Sequence, residues 1–253
     1  AAELVVVSTG LRPARPPIEG LDDVPALDSS GMLELDVVPE HLVVLGAGYV
    51  GLEFAQLFRR LGSAVTVVDP GERLAPREDA DVAACLAELL REDGVALCLG
   101  REVRRVMPSA PGPGVALELH VRATGGAEHL AGSHLLVAVG RRPNADHIGA
   151  EAAGIARDAR GFVAVDERLA TSAPGVYAIG DVTGGPAFTH VAYDDYRVLR
   201  DNLLRGGART TRGRLVPYTL FTDPPLCRVG PTEAQARAEG RAVRVATMPM
   251  RHV

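Results

Sequence analysis

Two hydrophobic patterns alternate along this chain: short apolar runs bounded by turn residues, and longer stretches with apolar side chains three or four positions apart. The first predicts buried strands and the second amphipathic helices. Leu4 to Val7 reads as a strand, and so does His41 to Leu45. After the turn Gly46-Ala47-Gly48-Tyr49-Val50-Gly51 comes a helix whose apolar stripe is Val50, Phe54, Leu57 or Phe58, and Leu61, with Gly62 as its stop. Val65 to Val68 is the next strand. A second helix, about 80–91, carries Val82, Cys85 or Leu86, and Leu89, before Gly94 and a strand at Val95 to Leu99. Strand, helix, strand, helix, strand predicts a parallel sheet.

The period then changes. Val103 to Met107, Val115 to Val121 and a short strand near Leu130 are separated by Pro- and Gly-rich turns, which predicts an antiparallel meander with Pro108 to Gly114 as a connection. Leu135 to Val139 is a buried strand, and Phe162 to Val165 and Val176 to Ile179 add two more. A helix over 189–204 places Ala192, Tyr196, Leu199 and Leu203 on one face. From Tyr218 the order is strand, strand, helix, strand, the last at Val243 to Met248, and Thr232-Glu-Ala-Gln235 opens the helix as a capping box.

The glycine turn is where chemistry first enters. Gly46, Gly48 and Gly51 form G-x-G-x-x-G between a predicted strand and a predicted helix, with Asp69 closing the next strand. In that setting the first glycine permits a tight turn and the second lets backbone N–H groups reach a pyrophosphate. The third lets helix and strand pack closely, the positive helix end faces the phosphates, and the acid accepts from a ribose hydroxyl. Asp69 also repels a 2′-phosphate, so NADH is favoured over NADPH; Arg73 is the counterweight.

Composition narrows the class. The 253 residues carry a net charge of −5, and all 27 basic residues are arginines, which argues against nucleic-acid binding and rules out a lysine base or Schiff base from this segment. No apolar run approaches the roughly 20 residues of a membrane helix. Cys85, Cys98 and Cys227 fit no zinc or redox spacing and read as buried thiols in a reducing cytoplasm, so no metal site is expected. The chain starts in one apolar strand and stops just after another strand-like run, so its ends are expected to be cuts in a longer protein.

Further motifs sharpen the picture. Thr171 to Asp181 ends an apolar strand on Gly180-Asp181, setting a carboxylate at a sheet edge. Together with Ser8-Thr9-Gly10-Leu-Arg-Pro13, Val139-Gly140-Arg141-Arg-Pro-Asn144 and Phe221 to Gln235, it makes the chain resemble the pyridine nucleotide-disulfide oxidoreductases along its whole length. The resemblance implies an α/β, Rossmann-like FAD/NAD(P)-binding fold of two dinucleotide domains, the NAD domain inserted in the FAD domain, followed by the start of an α+β interface domain. The implied divisions are 1–36 and 144–215 for the FAD domain, 37–143 for the NAD(P)H domain and 216–253 for the dimerisation domain.

By the same resemblance, Asp181 holds the ribityl chain of FAD, and Phe188, Thr189 and His190 bring a helix N-terminus to the flavin ring. Tyr49 is a gate over the nicotinamide pocket, Glu53 a carboxylate beside it, and Gly140 and Arg141 lie in a cofactor-contacting turn. The family's earlier glycine motif, its C-x4-C pair and flavin-facing lysine, and its C-terminal His–Glu pair are not in this sequence. This piece alone is therefore expected to be inactive and not to retain FAD. For the intact protein the resemblance implies a cytoplasmic homodimer that passes hydride from NAD(P)H to FAD and on to a cysteine pair, reducing a disulfide or a thiophilic metal ion. Residues 188–201, with Pro217 to Asp223 and Ala246 to Met250, look most like the mercuric-reductase-like branch and less like lipoamide dehydrogenase. A flavin NADH oxidase, a quinone or ferredoxin reductase, and a non-catalytic NAD-binding module are the alternatives.

Overall fold

The computed structural model describes residues 2–109 and 114–250. In chain order the elements are β1 (Val5–Val7), β2 (Leu11–Pro13), β3 (Ala26–Leu27), α1 (Ser29–Leu33), β4 (His41–Leu45), α2 (Tyr49–Arg60), β5 (Ala64–Asp69), α3 (Ala80–Glu92), β6 (Ala96–Leu99), β7 (Arg101–Pro108), β8 (Val115–Val121), β9 (Ala127–Gly132), β10 (His134–Val137), β11 (Arg141–Pro143), β12 (Val176–Ala178), α4 (Thr189–Leu204), β13 (Tyr218–Leu220), β14 (Leu226–Arg228) and α5 (Glu233–Ala238). They pack as two compact units, one of Ala1–Pro16 with Val139–Tyr218 and one of Pro17–Ala138 with Thr219–Val253.

The larger unit is built on a five-stranded sheet in the order β3-β10-β4-β5-β6. Every neighbouring pair in it is parallel. Strand alternation divides the side chains between two cores. Leu42, Val44, Val65, Val67 and Leu136 face one way and pack with Leu52, Ala55 and Phe58 of α2 and Leu86, Ala87 and Leu90 of α3. Val43, Leu45, Val68, Leu135 and Val137 face the other, against Val106, Val115, Leu117 and Leu119 of the meander β7-β8-β9. The meander is antiparallel throughout, as its turn-punctuated pattern predicts. Its connection at Pro108 to Gly114 lies partly outside the described residues.

The chain leaves β4 towards β5 and β6 and returns as β10 on the other side of β4. That reversal is the topological switch point, where open α/β sheets bind ligands outside the carboxyl ends of their strands.

The units differ from the expected divisions at 36/37 and 143/144. Residues 17–36 join the sheet because β3 pairs with β10, and Leu21, Val24 and Met32 are buried in its two cores. Residues 139–143 join the smaller unit because β11 pairs with β2. In the smaller unit β1 and β12 pair in parallel, and Val7, Ala178 and Val182 share a core with Ala145, Ile155 and Val163.

Helices α2, α3 and α4 form where periodicity puts them, and Gly62 (φ +109°) and Gly94 (φ +90°) end α2 and α3 in the left-handed conformation glycine tolerates. Their buried faces are rotated from the expected ones. In α2 they are Gly51, Leu52, Ala55, Gln56 and Phe58, with Val50, Leu57 and Leu61 exposed. In α3 they are Ala83, Leu86, Ala87 and Leu90. In α4 they are Val191, Asp195, Val198 and Leu199, and Tyr196 is exposed. In α2 and α3 small residues mark the side of close approach, so the bulkiest side chains are a poor guide to it. Two expected strands are absent: Val163 makes one isolated bridge with Arg157, and 243–248 lacks a partner strand among the described residues. Around Val163 the backbone groups are met singly, Val163 N–H donating to Val182 O, Ala164 N–H to Ala156 O and Asp158 N–H to Phe162 O, so no ladder forms.

In the smaller unit the Ser8–Pro13 and Val139–Asn144 motifs form one ribbon. Arg12 donates to Pro143 O (3.1 Å) and Asn144 Oδ1 (2.9 Å), and Asn144 Nδ2 to Thr9 O (2.9 Å). Arg12 also donates to both carboxylate oxygens of Asp146, and this pairing holds the Asp146 carboxyl down to about 2.

Two outcomes follow from this packing. Leu136→Ala, in a fully buried β10 position, is expected to cost ~2–5 kcal/mol in urea unfolding, whereas Leu204→Ala at an exposed helix end stays within about 0.5 kcal/mol. Because the folded Asp146 value lies below its unfolded one, its stabilising contribution is complete above the ordinary carboxylate range and fades as pH falls from about 4 towards 2. Arg12→Ala should return Asp146 to an ordinary titration, read by carboxyl NMR.

Candidate functional site

The glycine turn at the switch point is built almost entirely from backbone. Gly46 stands at φ +106°, and its N–H donates to Val68 O at 2.9 Å, joining the turn to β5. A Cβ on Gly51 would sit 2.2 Å from Gly46 O, so only glycine lets α2 approach β4 this closely. Gly48 is different. It is the N-cap of α2 with an ordinary φ of −84°, and apart from its two chain neighbours no residue comes within 4 Å of where its Cβ would be. No side chain caps this helix start, and the first-turn N–H groups of any α-helix lack intrahelical partners. The result is a half-exposed cluster of donors beside open space, an anion-binding geometry.

Asp69 closes β5 beside this turn. Its Oδ2 accepts from Ala47 N–H at 2.8 Å and its Oδ1 from Gly71 N–H at 2.7 Å. Two bonds leave the carboxylate roughly half of its four lone-pair sites for a ligand. Tyr49 and Glu53 lie one helical turn apart at the start of α2. Tyr49 donates its hydroxyl to Glu78 Oε1 at 2.6 Å, and Glu53 Oε1 accepts from Phe221 N–H at 2.8 Å. Val50 is exposed at the same helix end.

Residues 219–238 are held against this helix by side chains that sequence reasoning did not single out. Gln56, buried in α2, exchanges hydrogen bonds with the Asp223 backbone, and Arg60 pairs with the Asp223 carboxylate. Asp79 accepts from Glu233 N–H (2.8 Å) and Ala234 N–H (3.1 Å), while Glu78 pairs with Arg228 at 3.3 Å. The capping box of α5 forms as its sequence predicts, Gln235 N–H donating to Thr232 Oγ1 and Thr232 N–H to Gln235 Oε1.

The remaining expected site residues lie in the smaller unit. Gly180 (φ +70°) opens the turn Gly180–Thr183 that carries half-buried Asp181. Gly180 N–H donates at 2.8 Å to Asp195 Oδ2, and Arg214 Nη2 donates at 2.7 Å to the other oxygen. These groups line a cavity of about 230 Å³ with Thr183, Val191 and Val216. Asp195 is 3% exposed, and its place in the stripe, four residues after Val191 and three before Val198, is the signal that could have found it. Phe188 N-caps α4 through backbone alone and stacks with His190 (5.5 Å between ring centroids) and with Tyr218 (5.3 Å) at the exposed helix start. Gly140 O accepts from Ala14 N–H, and Arg141 donates to Leu11 O, so both residues serve the ribbon.

The cysteines depart from expectation. Cys85 and Cys227 are exposed, and only Cys98 is partly covered, burial pushing its thiol up. Cys85 sits on the outer face of α3, a consequence of the rotated stripe.

A family described as pyridine nucleotide-disulphide oxidoreductase matches residues 1–195. The probable pyridine nucleotide-disulfide oxidoreductase RclA of Escherichia coli is 42% identical over 250 residues, 98% of this chain and 55% of its own length. Its solved structure, described as an HOCl-induced flavoprotein disulfide reductase, superposes with a TM-score of 0.88 over 98% of this chain and 56% of that one. A mercuric reductase of Streptomyces lividans and a dihydrolipoyl dehydrogenase 3 of Pseudomonas putida are each 40% identical over 248 residues, covering 98% of this chain and 51% and 52% of their own lengths. Identity therefore does not separate the mercuric from the lipoamide branch. The chain spans about half the length of these relatives. With its parallel sheet, its glycine turn at the switch point and this degree of likeness, the chain belongs to the pyridine nucleotide-disulfide oxidoreductase family.

Proposed function

We propose that this chain carries the nicotinamide-nucleotide unit and part of the flavin unit of an FAD-dependent NAD(P)H oxidoreductase of the disulfide reductase type. Gly48 carries the reading. The fold itself requires glycine at 46 and 51, one for its φ and one for its close contact, but nothing in the protein's own packing requires it at 48. A residue left without a side chain beside uncapped helix donors suits the approach of a pyrophosphate. Asp69, with lone pairs to spare after holding Ala47 and Gly71, accepts from the adenosine ribose and repels a 2′-phosphate, which favours NADH. Exposed Arg73 is the only cation within four residues of that carboxylate on its C-terminal side. Tyr49, which follows Gly48 in the chain, stands as a gate between the phosphate mouth and the nicotinamide end of the pocket, and Glu53, one helical turn on, borders that end.

The smaller unit fits the ribityl and ring portions of a flavin. Gly180 is fixed through Asp195, which sets the Asp181 turn, and α4 begins without a side-chain cap, so its positive end is open to charge that develops on a reduced ring. When bound, FAD supplies the redox chemistry, taking hydride equivalents from the nicotinamide and passing electrons on; the residues of this chain bind and orient. The acceptor is a disulfide or a thiophilic metal ion, a range supported by the flavoprotein disulfide reductase, dihydrolipoyl dehydrogenase and mercuric reductase among the relatives. The intact protein works as a cytoplasmic homodimer. No helix of the described residues is long and apolar enough to cross a membrane.

Calorimetric titration separates the nucleotides. NADH is expected to bind several-fold more tightly than NADPH, since like charges in a partly desolvated site cost about 1 kcal/mol or more. Tighter binding of NADPH would overturn the assignment of Asp69.

A further inference from the structure

Glu78 is a buried acid that the proposed chemistry does not use. It belongs to the turn between β5 and α3 and is 5% exposed as a residue, its side chain only 2%. One oxygen accepts the Tyr49 hydroxyl at 2.6 Å, and the other faces Arg228 Nε at 3.3 Å. A carboxylate this deep costs free energy unless both oxygens are engaged, and removing one partner leaves it undercompensated. The turn that carries it is itself fixed to the glycine turn. Ala75 N–H donates to Ala47 O at 2.9 Å, Glu78 N–H donates to Ala75 O, and Ala75 sits at φ +40°. Tyr49 therefore starts α2 with its ring packed on the cluster that holds Leu74 and Ala75 and its hydroxyl tied to Glu78, and no residue other than its chain neighbours Ala47 and Tyr49 comes within 4 Å of where a Cβ of Gly48 would stand.

We propose that Glu78 is a positioning residue, a latch that holds the Tyr49 ring aside so that the phosphate mouth at Gly48 stays open to a dinucleotide. Arg228 supplies the countercharge that lets a carboxylate serve in this buried place, so residues 226–228 help to set the mouth without lining it. The latch works by preorganisation. An aromatic side chain released from its acceptor samples rotamers across the mouth, and that freedom must be given up again when ligand binds. The inference rests on the dinucleotide reading of the glycine turn, and it concerns the adenosine diphosphate part of the ligand that any such dinucleotide shares.

ADP-ribose, which carries the pyrophosphate and adenosine without the nicotinamide, is the probe, titrated calorimetrically into the whole protein. Tyr49→Phe removes one oxygen and keeps the ring, and Glu78→Ala removes the acceptor. Each is expected to weaken ADP-ribose binding about fivefold, within the range of one net hydrogen bond. The double variant should be no weaker than either single one, because both break the same bond. Glu78→Gln keeps an acceptor oxygen for Tyr49 while losing the charge pair with Arg228, and it should bind within about twofold of the unmutated protein. A merely structural role for the Glu78–Arg228 pair gives the opposite pattern, with Glu78→Gln as damaging as Glu78→Ala and Tyr49→Phe harmless; that result overturns the latch. Unchanged affinity in both Tyr49→Phe and Glu78→Ala also overturns it and leaves the dinucleotide reading standing. Failure of the unmutated protein to bind ADP-ribose overturns the dinucleotide reading and the latch together.

Discussion

Everything in the larger unit is arranged around one close approach of backbone to backbone. The start of α2 lies so near the end of β4 that a single carbon on Gly51 would stand 2.2 Å from Gly46 O, well inside contact distance. That proximity lets Leu52 and Ala55 reach the sheet core, and it aims the helix N-terminus at the crevice between β4 and β10. Adding a methyl group there would force helix and strand apart, opening the core and turning the donors away from any bound phosphate. Packing and binding geometry thus share one constraint.

Carboxylates do the rest of the positioning. Asp69 holds two backbone N–H groups of the turns beside it, and Asp79 holds the first two of α5. Glu53 takes the Phe221 N–H, and Asp195 takes that of Gly180 in the smaller unit. In each case an acid is spent on an amide that no regular element satisfies. These bonds are charge-assisted, stronger than amide to carbonyl, and suited to fixing a loop whose own residues have no ladder. A protein of this kind needs rigid loops, because a cofactor bound through backbone groups is only as well placed as the turn that presents them.

How much of this could be read in the sequence depends on the range of the interaction responsible. Gly46, Gly48, Gly51, the meander and the Thr232–Gln235 box are local signatures, and each stands where spacing puts it. The faces of α2 and α3 were not legible to within one position, since the contact side is set by Gly51, Ala55, Ala83 and Ala87, residues whose value is their smallness. Gln56, Glu78 and Arg228 were invisible for a different reason. Their partners lie 167, 29 and 150 positions away, so no window of sequence holds both ends of the bond. Residues 17–36 joined the sheet by the same logic, through a two-residue pairing that carries no periodic signal. The strand expected at 243–248 fails because apolar composition without a partner does not make a ladder.

Gly48→Val tests the central claim directly, since the fold gives it room. Its Cβ meets no protein atom and its φ is one that valine adopts, so stability should fall by no more than about 1 kcal/mol, the scale of an unfavourable N-cap. The isopropyl group would fill the space assigned to the pyrophosphate, and NADH binding by calorimetry is predicted to weaken by about a hundredfold or more, roughly 2.7 kcal/mol. A stable Gly48→Val protein that binds NADH as the unmutated one does would contradict the claim that a dinucleotide sits on this turn.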